Sequence, residues 1–490
     1  MFGEFAHARN PPHLFVVGIG ECYRAGDMKT VLINVFDTAV AKNIFMPQFL
    51  DVLTEHKDDI RVIVLVSHAK LEEFTRDYAH PMLEFVPRPQ KFASRIESVA
   101  LFLARNTIPA QSVRQIQEKG LDGSGRLPLP RYIFARIFWV FGHFKIFRLL
   151  IKRILAVFFD ARLFDDLLTR YQPDLVFATT IYAIDDVRLL RSARLRGITT
   201  LGMIKSWDSL TSKDAVVVPP DRLIVHNDVV KEEAIRLQGY PAEAISVVGI
   251  PQFDGYAAPQ FLFSREEFFE MLGLDKKKKL ITYTSIGLWL APHERDVIAL
   301  LDRVIREGKI AVPVQLLVRM HPAYPDEKEH LKKQFPNVII DEPGSPVRDP
   351  QNTWKADWRF TTDDVRHLAS TLKYSDVTLN CGSTMIVDAA CFDTPIIGIA
   401  FDGDAVEPNY WRSARIFFKR EHLAKVVETG GVRLVKNEQE LVEAVNEYLG
   451  NRSKDREGRK RIVKQQAGEL GAAGAALARA MIATLGQNVV

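Results

Sequence analysis

Cysteine is scarce in this chain, and its scarcity excludes two kinds of protein. Only three cysteines occur among 490 residues, at Cys22, Cys381 and Cys391. Such an odd and sparse set does not make a disulfide-stapled scaffold, and its spacing matches no zinc-ligand pattern. The sequence therefore predicts a protein of a reducing compartment that holds no metal ion.

Long hydrophobic runs and an excess of one charge are also absent. No run of about 18 uninterrupted apolar residues occurs, so no membrane-spanning helix is expected. Residues 1–14 contain acidic, basic and proline residues and no apolar stretch, so a secretory signal is not expected. Lys plus Arg number 65 against 61 for Asp plus Glu, a balance that argues against a nucleic-acid binder. We therefore expect a cytoplasmic protein with no nucleic-acid partner.

Strands and helices alternate along nearly the whole chain, in which 47% of the residues are apolar. Helical patterns separate short apolar runs, and this alternation predicts parallel sheets of the α/β class. The predicted strands are 31–36, 61–67, 175–180, 200–204, 223–227, 245–248, 280–284, 314–320, 338–340, 377–380 and 396–400.

These strands form two series, which predicts two Rossmann-like βα domains that face each other across a cleft. We place the first domain at 1–260, the second at 261–450, and a C-terminal helix at 451–490 that could pack back on the first domain. Parallel sheets bind ligands at the carboxyl ends of their strands. The polar residues that follow each strand are therefore the candidate site residues.

The turn Gly382-Ser383-Thr384 is the most informative of these strand ends. It follows a predicted strand and precedes a predicted helix that begins at Met385. Backbone N–H groups at a helix start favour an anion, and two hydroxyls add hydrogen-bond donors. Asp388 lies one helical turn further on, where a carboxylate could reach ribose hydroxyls. The turn is suited to the phosphate of a nucleotide.

Two other strand ends of the second domain carry candidate groups. Arg319 and His321 follow one strand and could neutralise a phosphate leaving group; the alternative is a histidine held by a loop carbonyl. Thr284 and Ser285 end another strand, in a hydroxyl-rich turn that could contact a phosphate or sugar, or could be an ordinary turn.

The first domain offers candidate residues for binding an acceptor, a second substrate whose hydroxyl group would give up a proton. Lys205, Trp207 and Asp208 lie in one polar loop after a strand; Trp207 could stack on a sugar while Asp208 acts as a base. The alternative is an Asx-turn in which Asp208 caps the backbone and Trp207 covers the core. Asp37, which follows the first strand, is the rival base, and His226 could line the same cleft.

The segment 131–164 is aromatic and basic. It predicts one or two helices with an aromatic face flanked by cations, namely Arg136, Lys145, Arg148, Lys152 and Arg153. Such helices can lie in a membrane interface and attract anionic lipids, which would place the protein at the inner face of the cell membrane. The competing interpretation is a pair of core helices with basic edges.

Most of the chain, from residue 31 to about 450, resembles GT-B fold glycosyltransferases of bacterial surface and capsular polysaccharide biosynthesis. His321-Pro322 and Ser383-Thr384 resemble the His-Pro and paired-hydroxyl motifs of GT-B sialyltransferases and capsule enzymes, where both motifs hold the phosphate of a nucleotide sugar. The region around Asp388 is similar to CDP-glycerol glycerophosphotransferases and UDP-GlcNAc 2-epimerases, where the matching carboxylate binds ribose. The sialyltransferases' acidic-acidic-Gly motif has no counterpart in the first domain, so the resemblance assigns no general base.

The resemblance implies a metal-independent glycosyltransferase without a cofactor, in which the nucleotide sugar is a substrate. Its expected partners are a nucleotide-sugar donor and a saccharide or lipid-linked acceptor. Three alternatives stay open: a CDP-polyol phosphotransferase, a sugar-nucleotide epimerase, and a non-catalytic nucleotide-binding subunit.

Overall fold

The computed structural model describes most of the chain. The described residues are 28–36, 40–121, 127–212, 215–287, 291, 293–321, 328–342, 344–347, 357–359, 361–404, 410–411 and 413–486. They form two parallel sheets, whose strands are joined by helices.

The first sheet has seven parallel strands in the order β3-β2-β1-β4-β5-β6-β7. The strands are β1 Lys29–Val35, β2 Ile60–Val66, β3 Leu83–Pro87, β4 Leu175–Ala178, β5 Thr199–Met203, β6 Arg222–Val225 and β7 Ile245–Val247.

The second sheet has six parallel strands in the order β10-β9-β8-β13-β14-β15, and β11 pairs with β12 in a separate antiparallel ribbon. The strands are β8 Lys279–Thr284, β9 Val314–Arg319, β10 Ile339–Asp341, β11 Ser345–Val347, β12 Asp357–Arg359, β13 Val377–Asn380, β14 Ile396–Ile399 and β15 Arg433–Val435.

Twenty α-helices occur in the described part of the chain. They are α1 Ala41–Ile44, α2 Pro47–Thr54, α3 Leu71–Asp77, α4 Arg95–Asn106, α5 Gln111–Leu121, α6 Leu129–Phe141, α7 Lys145–Ala156, α8 Asp165–Tyr171, α9 Ile184–Leu195, α10 Ser209–Ser212, α11 Asp228–Glu233, α12 Arg265–Met271, α13 Glu294–Arg306, α14 Lys328–Gln334, α15 Thr362–Tyr374, α16 Met385–Cys391, α17 Glu421–Glu428, α18 Glu438–Gly450, α19 Arg456–Ile462 and α20 Ala473–Leu485. Single 3₁₀ segments lie at His68–Lys70, Ala242–Ala244, Pro251–Ala257, Pro259–Phe261 and Ala414–Lys419, and π-helical turns at Ala234–Gln238 and Val463–Ala467. None of the described helices combines the length and apolar composition needed to cross a bilayer.

Local sequence explains these elements. The central strands are near-continuous apolar runs that are buried on both faces, as parallel strands between helices require. Several helices begin at a capping box, in which a Ser or Thr side chain and an acidic side chain three residues later each accept a backbone N–H; examples begin at Ser94, Ser264 and Thr361.

The predicted α/β class with two sheets is confirmed, and all of the predicted strands are present. The sequence missed β3 and β15, which are edge strands of their sheets, and it also missed β11 and β12 of the antiparallel ribbon. Neither edge strand is a continuous buried apolar run, since β3 is at most half-buried along its length and β15 has three residues. An edge strand is covered less, so its apolar pattern is weaker.

The last helices leave the second domain and return to the first. Leu477 and Met481 of α20 lie in the same buried cluster as Val31 and Phe49. Asp254, in the 3₁₀ segment after the first sheet, accepts the backbone N–H groups that start α20, at 3.0 Å from Ala473 and 2.7 Å from Gly474. The chain therefore crosses between the domains twice, and the two crossings are bonded to each other.

Candidate functional site

The strand order reverses at the centre of each sheet, and this is where α/β sheets bind ligands. In the first sheet the reversal lies between β1 and β4, and in the second between β8 and β13. The turn 382–384 follows β13 after one residue, Cys381, so it lies at the reversal point of the second sheet.

Asn380 shapes this turn. Its side-chain oxygen accepts the N–H groups of Gly382 and Ser383, both at 2.9 Å, which is an Asx-type turn at the end of β13. Gly382 has φ +105°, and a Cβ there would lie 2.9 Å from Cβ of Phe417. The Ser383 hydroxyl is buried and accepts the Met385 N–H at 3.3 Å, whereas Thr384 is exposed. Only glycine therefore fits at position 382. Of the two hydroxyl residues of the turn, Thr384 is the accessible one.

Asp388 is buried on α16 and faces the segment that joins the domains. Its Oδ1 accepts the hydroxyl of Tyr256 at 2.8 Å. Burial, together with this carboxylate, raises the pKa of Tyr256 well above its ordinary value, so the phenol keeps its proton. Sequence reasoning missed Tyr256, because nothing in the sequence around it distinguishes it from a core aromatic residue.

A cavity of about 160 Å³ lies between the domains and brings five predicted site residues together. Its described lining residues are Asn43, Lys205, Ser206, Trp207, His226, Ile250, Gln252, Phe253, Thr384 and Asp388. Thr384 and Asp388 come from the second domain, whereas Lys205, Trp207 and His226 come from the first. Donor-side and acceptor-side candidates thus share one cavity.

His226 follows β6 and is one of the residues that line this cavity. Its side chain is 3% exposed, and Nε2 has no hydrogen-bond partner among the described residues. Burial lowers the pKa of His226 to about 4, so the imidazole is neutral at neutral pH. A neutral, unpaired imidazole can accept a hydrogen bond from a ligand hydroxyl.

Trp207 and Asp208 connect the first domain to the second. The Trp207 ring packs edge-on against the ring of His422, with 5.4 Å between centroids. Asp208 is buried and is not among the described lining residues of the cavity. Burial lowers the pKa of Arg420 to about 10, and the charge of Asp208 opposes that shift. Asp208 therefore lies within electrostatic range of a second-domain cation.

Arg319 is held inside the second domain. It forms a buried ion pair with Asp341, whose carboxylate also lies 3.1 Å from Nε2 of His367. Burial would raise the pKa of Asp341, but these two partners outweigh it and lower that pKa to about 2. His321 is half-buried at the same sheet edge, and neither Arg319 nor His321 is among the described lining residues of the cavity.

The turn after β8 is organised by a buried carboxylate that sequence reasoning also missed. Glu294 accepts the hydroxyl of Ser285 at 2.6 Å, the hydroxyl of Tyr283 at 2.8 Å, and two backbone N–H groups of the turn. Burial raises the pKa of Glu294, and these donors oppose the rise. The hydroxyl of Thr284 is buried and has no partner in the described chain. Ser285 thus supports the turn, while Thr284 keeps an unused hydroxyl.

Asp37, the rival base, lies outside the described residues. Among the residues that the structure does describe, no group of three or more His, Cys, Asp or Glu side chains could hold a metal ion.

Comparison with known proteins supports the fold and leaves the activity open. No family model and no curated protein sequence matches this chain. A solved UDP-GlcNAc 2-epimerase from Neisseria meningitidis bound to UDP-GlcNAc has a TM-score of 0.53 at 10% identity, over 94% of this chain and 99% of that one. A glycosyltransferase from Rickettsia africae has a TM-score of 0.51 at 10% identity, over 94% of this chain and 100% of that one.

A third solved structure, the S. aureus MnaA–UDP complex, has a TM-score of 0.51 at 13% identity, over 91% of this chain and 94% of that one. At such low identity the similarity shows the fold alone. The protein has the GT-B fold, two βα domains of parallel sheets, as the resemblance of its sequence implied.

Proposed function

We propose that this protein is a glycosyltransferase that moves a sugar from a nucleotide-activated donor to a saccharide or lipid-linked acceptor. The observation that carries the proposal is the cavity between the domains, in which Thr384 and Asp388 of one domain face Lys205 and His226 of the other. Two solved proteins of the same fold contain UDP or UDP-GlcNAc, which supports a sugar nucleotide as the ligand.

The second domain would bind the donor. The Asp388 carboxylate accepts hydrogen bonds from ribose hydroxyls, and the Thr384 hydroxyl donates one to a phosphate oxygen. Lys205 is the one cation among the described lining residues and offsets the charge that develops on the leaving phosphate. Arg319 and His321 lie at the end of β9, two strands from β13 in the sheet. His321 would contact the donor phosphate, while Arg319 stays paired with Asp341.

The first domain would bind the acceptor, with Trp207 beside the sugar. The acceptor oxygen attacks the anomeric carbon while the bond from that carbon to the phosphate oxygen breaks. The bonding electrons leave with the nucleotide, and the acceptor proton passes to a base. His226 is favoured over Asp208 for that role, because His226 lines the cavity and has an unpaired nitrogen, whereas Asp208 is not among the described lining residues.

Donor entry requires the domains to separate. The cavity of about 160 Å³ is smaller than the roughly 300 Å³ at which ligand pockets begin. The Trp207–His422 contact and the Lys425–Glu233 ion pair cross the same interface and would open with it. Closure around the donor then excludes water from the reacting carbon.

A sugar-nucleotide 2-epimerase is the second candidate. The observation that favours it is that UDP-GlcNAc 2-epimerases recur among the solved structures of this fold. An epimerase needs no acceptor, so the two candidates differ in a property that a simple assay measures.

The test begins with a thermal-shift screen of CMP, CDP, UDP, GDP and dTDP, because a ligand of the folded state raises the melting temperature. Sugars attached to the binding nucleotide are then incubated with and without saccharide and lipid-linked acceptors. Acceptor-dependent release of nucleotide with a new glycosidic bond supports transfer. Isomerised donor without acceptor identifies an epimerase, a phosphodiester product identifies a phosphotransferase, and binding without consumption of any donor identifies a non-catalytic subunit.

Variants locate the reaction. His226→Gln and His321→Ala should each lower turnover at least about tenfold while the melting temperature changes little. Glu329→Gln, at an exposed position, is the matched control. Turnover at the unmodified level in His226→Gln would refute its role as the base, and the same result in His321→Ala would refute its role at the phosphate.

A further inference from the structure

The outward faces of α6 and α7 form an apolar surface, here named the α6–α7 face. Thirteen of the twenty-three exposed large hydrophobic side chains of the described chain lie between Leu129 and Phe158. They include Phe144, 63% exposed, and Ile146, 81% exposed. Soluble proteins rarely expose apolar residues at this density without a partner for them.

Helix α7 buries charged side chains and exposes aliphatic ones, the reverse of an ordinary surface helix. Two of its four cations, Arg148 and Lys152, are buried, at 6% and 5% exposure, while Leu150 and Ile154 on its other face are exposed. This corrects the prediction that both cations flank the aromatic face at the surface. The reason is local bonding, since Arg148 donates to the backbone oxygens of Gly142 and Arg236 and Lys152 donates to Gln238.

These buried hydrogen bonds fix the rotation of α7 about its own axis. The aliphatic side chains on the opposite side of the helix therefore face solvent. Burial lowers the pKa of Lys152 to about 7, because the charged amine loses hydration when it is turned inward. The apolar surface continues onto α4, where Ile96 and Val99 are exposed beside a groove of about 360 Å³ between α4 and α7.

The charge on the α6–α7 face has one sign. From Leu127 to Phe159 the sequence contains no Asp or Glu. The exposed ionised residues of this stretch are Arg131, Lys145 and Arg153. A second copy of the chain on this face would bring like charges together without an acidic partner from these helices. An anionic surface complements them.

We propose that the α6–α7 face is a docking surface for an anionic lipid bilayer. Its helices have 13 and 12 residues, which at 1.5 Å per residue is about 20 Å, less than the roughly 30 Å hydrocarbon core. They therefore lie along the bilayer surface, with the aliphatic side chains among the acyl chains and the three cations at the headgroups.

Vesicle flotation with the full-length protein tests this. Vesicles are made of phosphatidylcholine alone or with about 30% phosphatidylglycerol. The protein should float with the anionic vesicles at least about tenfold better than with the neutral ones, and about 0.5 M salt should weaken the binding. Equal flotation with both kinds of vesicle, or none with either, overturns the proposal.

Three variants separate the contributions. Ile146→Ser/Leu150→Ser/Ile154→Ser should abolish flotation, and Lys145→Glu/Arg153→Glu should abolish the preference for anionic vesicles. Leu195→Ser/Met271→Ser changes two exposed apolar residues outside the face and should float as the unmodified protein does. All positions are exposed, so melting temperatures should stay within about 2 °C.

Sedimentation measurements distinguish the rival occupant. A dimer that the triple serine variant converts to a monomer, combined with no vesicle binding, would assign the face to a second copy and refute the bilayer. Phe138 and Trp139 are left unchanged because they are half-buried, and the Trp139 indole N–H donates to the Ala110 oxygen at 3.2 Å.

Discussion

The hydroxyl of Tyr256 donates a hydrogen bond to Asp388 across 2.8 Å, and both side chains are buried. Tyr256 belongs to the segment that joins the domains, and Asp388 lines the cavity between them. The same segment is bonded to α20 through Asp254. The Asp388 carboxylate, the candidate group for binding the nucleotide-sugar donor, is thus oriented by the segment that must move when the domains open.

Two substitutions separate the structural and the binding roles of Asp388. Tyr256→Phe leaves the buried carboxylate short of a donor and should lower the free energy of unfolding by about 1–2 kcal/mol. Asp388→Asn keeps an oxygen that accepts from Tyr256, so it should unfold nearly normally but bind nucleotide about tenfold more weakly. Chemical denaturation measures the free energy of unfolding of each variant. Calorimetric titration with the nucleotide found by thermal shift measures its affinity. Unchanged nucleotide affinity in Asp388→Asn would show that the carboxylate only supports the fold.

Acid should destabilise the protein through His226. The unfolded residue gains a proton near its ordinary pKa of 6.5, whereas the folded one stays neutral down to about 4. Between these values the unfolded state binds more protons, so the free energy of unfolding falls as pH falls, by up to about 3 kcal/mol. Denaturation curves measured between pH 7 and pH 4 give the free energy of unfolding at each pH. This free energy should depend less steeply on pH in His226→Asn than in the unmodified protein.

His68→Asn, at an exposed histidine, is the matched control and should keep the full dependence. If His226→Asn and the unmodified protein lose stability in parallel over this range, the buried imidazole is not the group that titrates.

The ion pair between Lys425 and Glu233 should hold the domains together. Lys425 of α17 lies 2.8 Å from Glu233 of α11, which is 1% exposed. Burial raises the pKa of Glu233, and Lys425 offsets part of that rise. Lys425→Met should cost about 1–3 kcal/mol, below the usual figure for a buried pair because Lys425 is one-third exposed.

The loss should be greater at pH 8 than at pH 5. Removing Lys425 raises the pKa of Glu233 further. Folded Glu233 of the variant then keeps a proton that the unfolded chain releases, so the stability of the variant falls as pH rises through that range. Glu233→Gln/Lys425→Met removes the unpaired charge and should recover most of the loss in urea titrations. Lys460→Met, in the exposed pair with Glu457, should have no measurable effect. A double variant as unstable as Lys425→Met would exclude the unpaired charge as the cause.

Gly382→Ala should disrupt the turn after β13. The backbone has φ +105°, and the added methyl group would meet Cβ of Phe417 at 2.9 Å. We expect a loss of about 1–3 kcal/mol and weaker nucleotide binding, since the turn carries Thr384. Gly450→Ala adds a methyl group in open space at the end of α18 and should be neutral or slightly stabilising. Equal melting temperatures for the two variants would show that the turn relaxes without strain.

Much of the fold could be predicted because parallel strands leave a local signal. Val62–Val66 and Leu316–Val318 are apolar without interruption, and such runs indicate buried strands. The edge strands Leu83–Pro87 and Arg433–Val435 were missed because a charged residue, Glu84 or Arg433, shortens the apolar run of each.

The candidate site was predictable in its parts and not in its assembly. Thr384, Asp388, Lys205 and His226 each follow a strand or turn that the sequence marks, and all four line one cavity. Tyr256 bonds to Asp388, which lies 132 positions further along the chain, and a partner at that distance is invisible to a local pattern. Asn380 and Glu294 bond to nearby residues, but apolar periodicity does not mark such side-chain hydrogen bonds.

The two parallel α/β sheets with polar strand ends follow from the amino-acid sequence alone, because apolar periodicity and turn residues act over a few neighbouring positions. The pairing of Arg319 with Asp341, and the inward orientation of Arg148 and Lys152 on α7, depend on tertiary packing. Pairing and burial are properties of which segments pack together. A cation is stable inside the protein only where distant oxygens meet it, and those oxygens come from elsewhere in the chain.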